Sequence, residues 1–137
     1  MCEYSRRNRE MNLRALWALL KRRLLQTTLN SFRGLSAVWR TEEAFRIELI
    51  SLVLLTPVAV FVAADYLQLI LLIGSILLVL IVELLNTCIE IVVDRISLDS
   101  HELSGRAKDV GSAAVFISLL LAGAIWALTL LQNSANF

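Results

Sequence analysis

Three apolar runs, residues 47–64, 67–93 and 110–131, constrain this chain more than any other feature. Each is close to the ~20 residues that an α-helix needs to cross the hydrocarbon core of a bilayer. A backbone in lipid must satisfy its own N–H and C=O groups, so isolated runs of this length cross as helices. Composition agrees: hydrophobic residues make up 58% of the 137, more than an ordinary soluble domain carries. The sequence therefore predicts an all-α integral membrane protein. Its three-span core occupies residues 41–137, behind an amphipathic surface helix over 12–40 and a polar, disordered tail over 1–11.

The net charge of +1 conceals an asymmetry, because of 13 basic residues only Arg95, Arg106 and Lys108 follow the first apolar run. Basic residues thus flank the amino end of the first span and the connection between spans two and three, while the tip between spans one and two has none. By the positive-inside rule those flanks face the cytoplasm, which sends the carboxyl end to the opposite side. Ser5-Arg6-Arg7 before the apolar stretch 13–20 suggests a twin-arginine signal. That stretch runs into Lys21-Arg22-Arg23 with no small-residue cleavage pattern, so it reads as part of the mature protein. Cys2 and Cys88 have neither the number nor the spacing of a disulfide framework or zinc site and are expected as free thiols.

Leu13, Leu16, Trp17, Leu20 and Leu24 recur at helical spacing, and Leu35 and Val38 return to the same stripe. Arg22 and Arg33 point away from it, the pattern of a helix lying in a membrane surface with its cations near lipid headgroups. Packing of that face on the protein's own helices is the plainer alternative. Thr27, Thr28, Asn30, Ser31 and Gly34 should weaken the helix midway. Asp65-Tyr66 is the one polar break between the first two runs and predicts a tight antiparallel hairpin. Asp99, with Glu102 three residues on, resembles a capping box that starts the last helix outside the lipid. Pro57 should kink span one, and Gly74, Gly111 and Gly123 should let helices pack closely.

The chemistry concentrates in E-L-L-N-T-C-I-E, residues 83–90. At 100° per residue, Glu83, Asn86, Thr87, Glu90 and Asp94 share one helix face over ~16 Å. A carboxylate within a span is costly and normally faces protein or a water-filled cavity, where it serves a site; a protonated acid gluing helices together is the alternative. Asp94 has Arg95 beside it as an interfacial partner. Two more polar clusters sit at the same level: Thr41, Glu42, Glu43, Arg46 and Glu48 before span one, and His101 to Asp109 before span three. In the latter, His101, Gly105, Lys108 and Ser112 share a face suited to phosphate, although a solvated helix start with a Glu102–Arg106 pair fits as well. The stretch 104–109 lacks P-loop spacing, and His101-Glu102 lacks the second histidine of a zincin.

V-E-L-L-N-T-C-I-E-I-V-V-D-R-I followed by H-E-L-S-G-R-A-K-D-V-G-S-A-A-V resembles the signature of bacterial diacylglycerol kinases, and W-R-T-E-E-A-F-R-I-E resembles that family's segment before its first span. The likeness runs from about residue 22 to the carboxyl end. It implies a homotrimer of three-span subunits with an amino-terminal surface helix, in the bacterial inner membrane, with the amino end cytoplasmic and the carboxyl end periplasmic. The implied reaction moves the γ-phosphate of ATP to the hydroxyl of diacylglycerol with magnesium as cofactor; no nucleic-acid partner is expected.

By the same resemblance Glu83 is the general base, and Glu42 and Glu90 hold magnesium. A hard cation bridging phosphates needs only one or two protein carboxylates. Asn86, Asp99, Ser100, His101, Lys108 and Asp109 match the family's nucleotide contacts, joined by Arg23, Glu42 and Glu90. Arg23, Glu48, Glu83 and Ser112 match positions at the lipid substrate. Asn30 departs from the pattern, standing where an aromatic nucleotide contact is expected. An undecaprenol kinase is the nearest rival, and S-G-R-A-K-D-V-G-S-A-A favours diacylglycerol. An ion or proton pathway subunit would also use acids inside a bundle, but gives the Lys108 and Glu42 clusters no task. A non-catalytic scaffold would use the polar stripe only to set helix register.

Overall fold

The computed structural model describes residues 2–96 and 101–134, with side chains from residue 16 onward. The chain divides into two compact units, Met1–Ala37 and Val38–Phe137. The described residues form four helices: α1 Cys2–Thr41, α2 Glu43–Val62, α3 Tyr66–Ile96 and α4 Glu102–Ser134. The last three are long and apolar enough to cross a membrane.

The first unit is helical from Cys2, so the polar stretch read as a tail from composition lies within α1. The polar segment 27–34 does not interrupt the helix either. Thr28 Oγ1 donates to Leu24 O at 2.8 Å and Ser31 Oγ to Thr27 O at 2.9 Å, so these hydroxyls bond back to the preceding turn and are compatible with helix. Of the apolar stripe, Leu16, Trp17, Leu20, Leu24 and Leu35 are exposed within this chain, whereas Val38 is half-buried.

In the second unit α3 is the central helix and packs against both α2 and α4, which barely touch each other. A third of its most apolar stretch (33%) is buried, against 11% in α2 and in α4. Its buried residues, Leu72, Ser75, Ile76, Val79, Leu80, Glu83, Asn86 and Thr87, recur every three or four positions and form one stripe. Phe45 and Ala59 of α2 and Gly111, Ser118 and Thr129 of α4 are the buried residues of the neighbouring helices. The remaining faces are apolar and exposed, as suits helices solvated by lipid.

Helices outrun the apolar segments chiefly at the end away from the hairpin. α2 starts at Glu43, and α4 starts at Glu102, well before the apolar run from Val110. α2 continues through Pro57 as one helix. The hairpin forms as the Asp65 break predicts. Gln68 N–H donates to Asp65 Oδ1 at 2.8 Å while Gln68 Oε1 accepts from Ala64 N–H at 2.9 Å, a reciprocal cap for the start of α3. α4 then ties itself to this tip: Asn133 Nδ2 donates to Val62 O at 2.7 Å and to Gln68 Oε1 at 3.0 Å. Deeper in, Trp126 Nε1 donates to Leu72 O at 3.3 Å.

Of the three glycines expected to bring helices together, only Gly111 does so. A Cβ at Gly74 or Gly123 would meet nothing within 4 Å, so neither contributes close helix packing within this chain.

Candidate active site

The polar face of α3 is the frame of the site. Glu83, Asn86 and Thr87 are buried at 5%, 8% and 2% exposure, and Glu90, one turn past Asn86, is half-buried. Their i, i+3, i+4 and i+7 spacing keeps them on the inward stripe, continuous with the apolar core residues Val79 and Leu80. Asn86 Nδ2 donates to Glu90 Oε1 at 3.0 Å, which fixes the carboxylate relative to its own helix. Asn86 Oδ1 is buried and has no partner.

α2 supplies two further acids. Glu42 is the extended residue between α1 and α2, with φ −102° and ψ 117°, and its side chain does not cap α2. Glu48, one and a half turns into α2, is half-buried, with Oε2 buried and unpartnered. Glu42, Glu48 and Glu90 all lie within electrostatic range of Glu83, so four carboxylates gather along the polar face of α3. Beside Glu48 a groove of about 320 Å³ opens between the three helices, lined by Ser51, Leu55, Val79, Gly123 and Trp126 among others. Its wall is apolar apart from Glu48, Ser51 and the indole edge.

Opposite the outer end of the stripe stands the start of α4. Lys108 Nζ donates to Asp94 Oδ1 at 2.5 Å and joins α4 to the end of α3. Asp94 therefore pairs across helices with Lys108 rather than with Arg95: adjacent residues on a helix point in different directions, whereas α4 passes over this face. Among the described residues Glu102 and Arg106 form no ion pair. His101 Nδ1 accepts from Leu103 N–H at 3.2 Å and so caps the start of α4. Arg46 turns back to donate to Trp39 O at 3.3 Å.

The structure thus brings together Glu42, Glu48, Glu83, Asn86 and Glu90, with Lys108 at their margin. Asp109 and Ser112 are exposed on α4, as is His101 just before it. Asp99 and Ser100 lie outside the described residues. Arg23 and Asn30 belong to the first unit, exposed on α1.

Among the described residues no group of three or more His, Cys, Asp and Glu side chains is arranged to hold a metal by itself. A convergence of acids with an open side instead fits a cation that shares its coordination with a phosphate.

Comparison with known proteins decides what this arrangement belongs to. Residues 29–130 match the family model for prokaryotic diacylglycerol kinase. The chain belongs to that family. It is 47% identical over 103 residues to the diacylglycerol kinase of Haemophilus influenzae, covering 75% of this chain and 87% of that one. The diacylglycerol kinase of Escherichia coli K12 is 46% identical over 108 residues, with 79% and 88% covered. That of Pseudomonas aeruginosa is 46% identical over 110 residues, with 80% and 89% covered. Within the prokaryotic diacylglycerol kinase match fall Asn30 and every site residue of α2, α3 and α4, whereas Arg23 precedes it.

Three features were not read from the sequence: the Asp94–Lys108 bridge, the contact of Gly111 with Asn86, and the bonding of Asn133 to the hairpin. Each joins α4 to residues of an earlier helix, or to its end. No local spacing signals them, although the glycine itself stands out as a close-packing residue.

Proposed function

We propose that this chain is an ATP-dependent kinase of the inner membrane that phosphorylates the free hydroxyl of diacylglycerol. The observation that carries the reading is the buried acid Glu83, set ~10 Å along α3 from Glu90 on a continuous polar face. One end of that face is deep enough for a lipid hydroxyl, and the other opens toward the polar start of α4.

Glu83 accepts the proton of the hydroxyl as its oxygen attacks the γ-phosphorus of ATP. The bond from γ-phosphorus to the bridging oxygen breaks, and ADP and phosphatidic acid leave. Phosphoryl transfer otherwise depends on position and charge. Glu42 and Glu90 would hold magnesium, which neutralises the phosphate oxygens when bound. Asn86 orients Glu90. Lys108, Asp109 and His101, with Asp99 and Ser100, form the nucleotide side, and Glu48 with Ser112 the lipid side. The apolar groove next to Glu48 suits an acyl chain.

The amino end and the start of α4 are cytoplasmic in this reading, where ATP is, and the carboxyl end is periplasmic. α1 lies in the membrane surface on its apolar stripe, and the active assembly is a homotrimer. Purified protein in detergent, given labelled ATP and magnesium with diacylglycerol and undecaprenol in competition, tests the reading. Label is expected in phosphatidic acid. Label in undecaprenyl phosphate alone, or in neither lipid, would overturn it.

A further inference from the structure

At the site α3 and α4 pack with Asn86 against Gly111. A Cβ built on Gly111 would overlap Asn86 Oδ1 and stand 3.4 Å from Asn86 Cγ, inside or at the limit of ordinary contact. The hydrogen that a side chain would replace therefore points at Oδ1. That oxygen is buried without a hydrogen-bond partner, while the amide nitrogen of the same group donates to Glu90 Oε1 at 3.0 Å. Reversing the amide would set Oδ1 against a carboxylate oxygen, two acceptors facing each other. The orientation with nitrogen toward Glu90 is thus the one that satisfies a bond, and it requires room for oxygen on the α4 side. Only a glycine leaves that room, because the obstacle is the end of a buried side chain that its own bond to Glu90 holds in place.

We propose that Gly111 is a positioning residue: the bare backbone of α4 holds the Asn86 amide so that its nitrogen orients the Glu90 carboxylate. The proposal rests on the role given to Glu90 above. Through Asn86, a substitution at 111 should reach the cation and phosphate that Glu90 serves, without touching either. Gly111 is buried, and the glycines at 74 and 123 have open space at the same test, so the constraint is specific to this level of the bundle.

The test is a double-mutant cycle with Gly111→Ala and Asn86→Ala in the purified, assembled protein, read as kcat and as the magnesium requirement, the latter measured both at half-maximal activity and, without turnover, as magnesium affinity in the presence of a non-hydrolysable ATP analogue. In the presence of Asn86, Gly111→Ala is expected to raise the magnesium requirement and lower kcat, each by about tenfold, whereas contacting residues that act as a unit lose additivity. In the Asn86→Ala background the same change should alter neither value by more than about twofold, since the obstructed group is gone. A role confined to packing α4 on α3 would leave the magnesium requirement unmoved in both backgrounds, and an equal penalty in both would likewise overturn the proposal. Should Gly111→Ala fail to assemble, Asn86→Ala and the double variant still decide it. They must share one raised magnesium requirement, and a further rise in the double variant or a normal value in Asn86→Ala refutes it. Glu90→Gln run alongside separates the two readings: an unchanged requirement there ends the metal role of Glu90 itself, whereas a raised one with an additive Gly111→Ala ends only the role of Gly111.

Discussion

Asn133 sits at the far end of the bundle from the acids, and its removal should weaken the fold while sparing the chemistry. Its amide nitrogen donates to Val62 O at 2.7 Å and to Gln68 Oε1 at 3.0 Å, so one side chain of α4 fastens the last turn of α2 and the first turn of α3. A net hydrogen bond is worth ~0.5–1.5 kcal/mol, and side-chain pairs between membrane helices average about 0.6 kcal/mol. Two such bonds put the cost of Asn133→Ala at about 1–2 kcal/mol. Gln68→Ala should cost a similar amount, and the double variant should show a coupling of about 0.5–1 kcal/mol, because the two residues share a bond. Gln68 and Glu83 are ~22 Å apart along α3, so turnover per folded molecule should not change. Reversible unfolding by SDS in mixed micelles, followed by tryptophan fluorescence, measures the first quantity, and lipid phosphorylation at saturating substrate the second. A loss below about 0.3 kcal/mol, the scatter of additive sites, would show that interfacial water replaces the bonds fully. A fall in turnover with the fold intact would show that the hairpin tip and the acids are not independent.

Glu83→Gln should abolish turnover while ATP still binds, since the amide keeps the size of the acid but cannot take the proton; turnover near wild type would make the stripe structural. Glu83→Asp should recover only part of the rate, because the shorter side chain withdraws the base by about one methylene. Glu42→Gln and Glu90→Gln should each raise the magnesium requirement steeply with the assembly intact, and an unchanged magnesium titration in both would remove them from the metal site. Reporters fused after residue 137 should read as periplasmic and reporters in 97–100 as cytoplasmic, and the reverse pattern would put the ATP side where there is no ATP.

The parts of the fold that could be read in advance are those governed by one helix at a time. Length and apolarity define the three spans, Asp65 sets the hairpin, and the 3.6-residue period places Glu83, Asn86, Thr87 and Glu90 on one face, all of which the structure retains. Reading failed where a residue's partner lies on another helix. Asp94 was given its sequence neighbour Arg95, but its partner Lys108 is fourteen positions on and is brought near only by the packing of α4 on α3. Gly74, Gly111 and Gly123 look alike in sequence, and only the register of α3 against α4 decides which of them faces a buried side chain. The weakening expected around 27–34 does not break α1. Hydroxyls that compete with a helix in principle can also bond back into it, as Thr28 and Ser31 do.

One helix carries both the core and the chemistry, and this shapes how the protein can tolerate change. Leu72, Ile76, Val79 and Leu80 are buried on the same stripe that continues into Glu83, Asn86 and Glu90. A rotation of α3 that relieved the acids of burial would also expose its apolar core residues to the wrong neighbours, so apolar packing at one end holds the carboxylates in place at the other. Polar ties close both ends: Lys108 to Asp94 at the site, Asn133 to Gln68 and Val62 at the tip. Between them, the bond from Trp126 to Leu72 O sets α4 against the second turn of α3. The acids therefore need no local network to stay buried. The bundle imposes their position, with Glu48 beside the apolar groove and the unpartnered oxygen of Asn86 against Gly111 of α4.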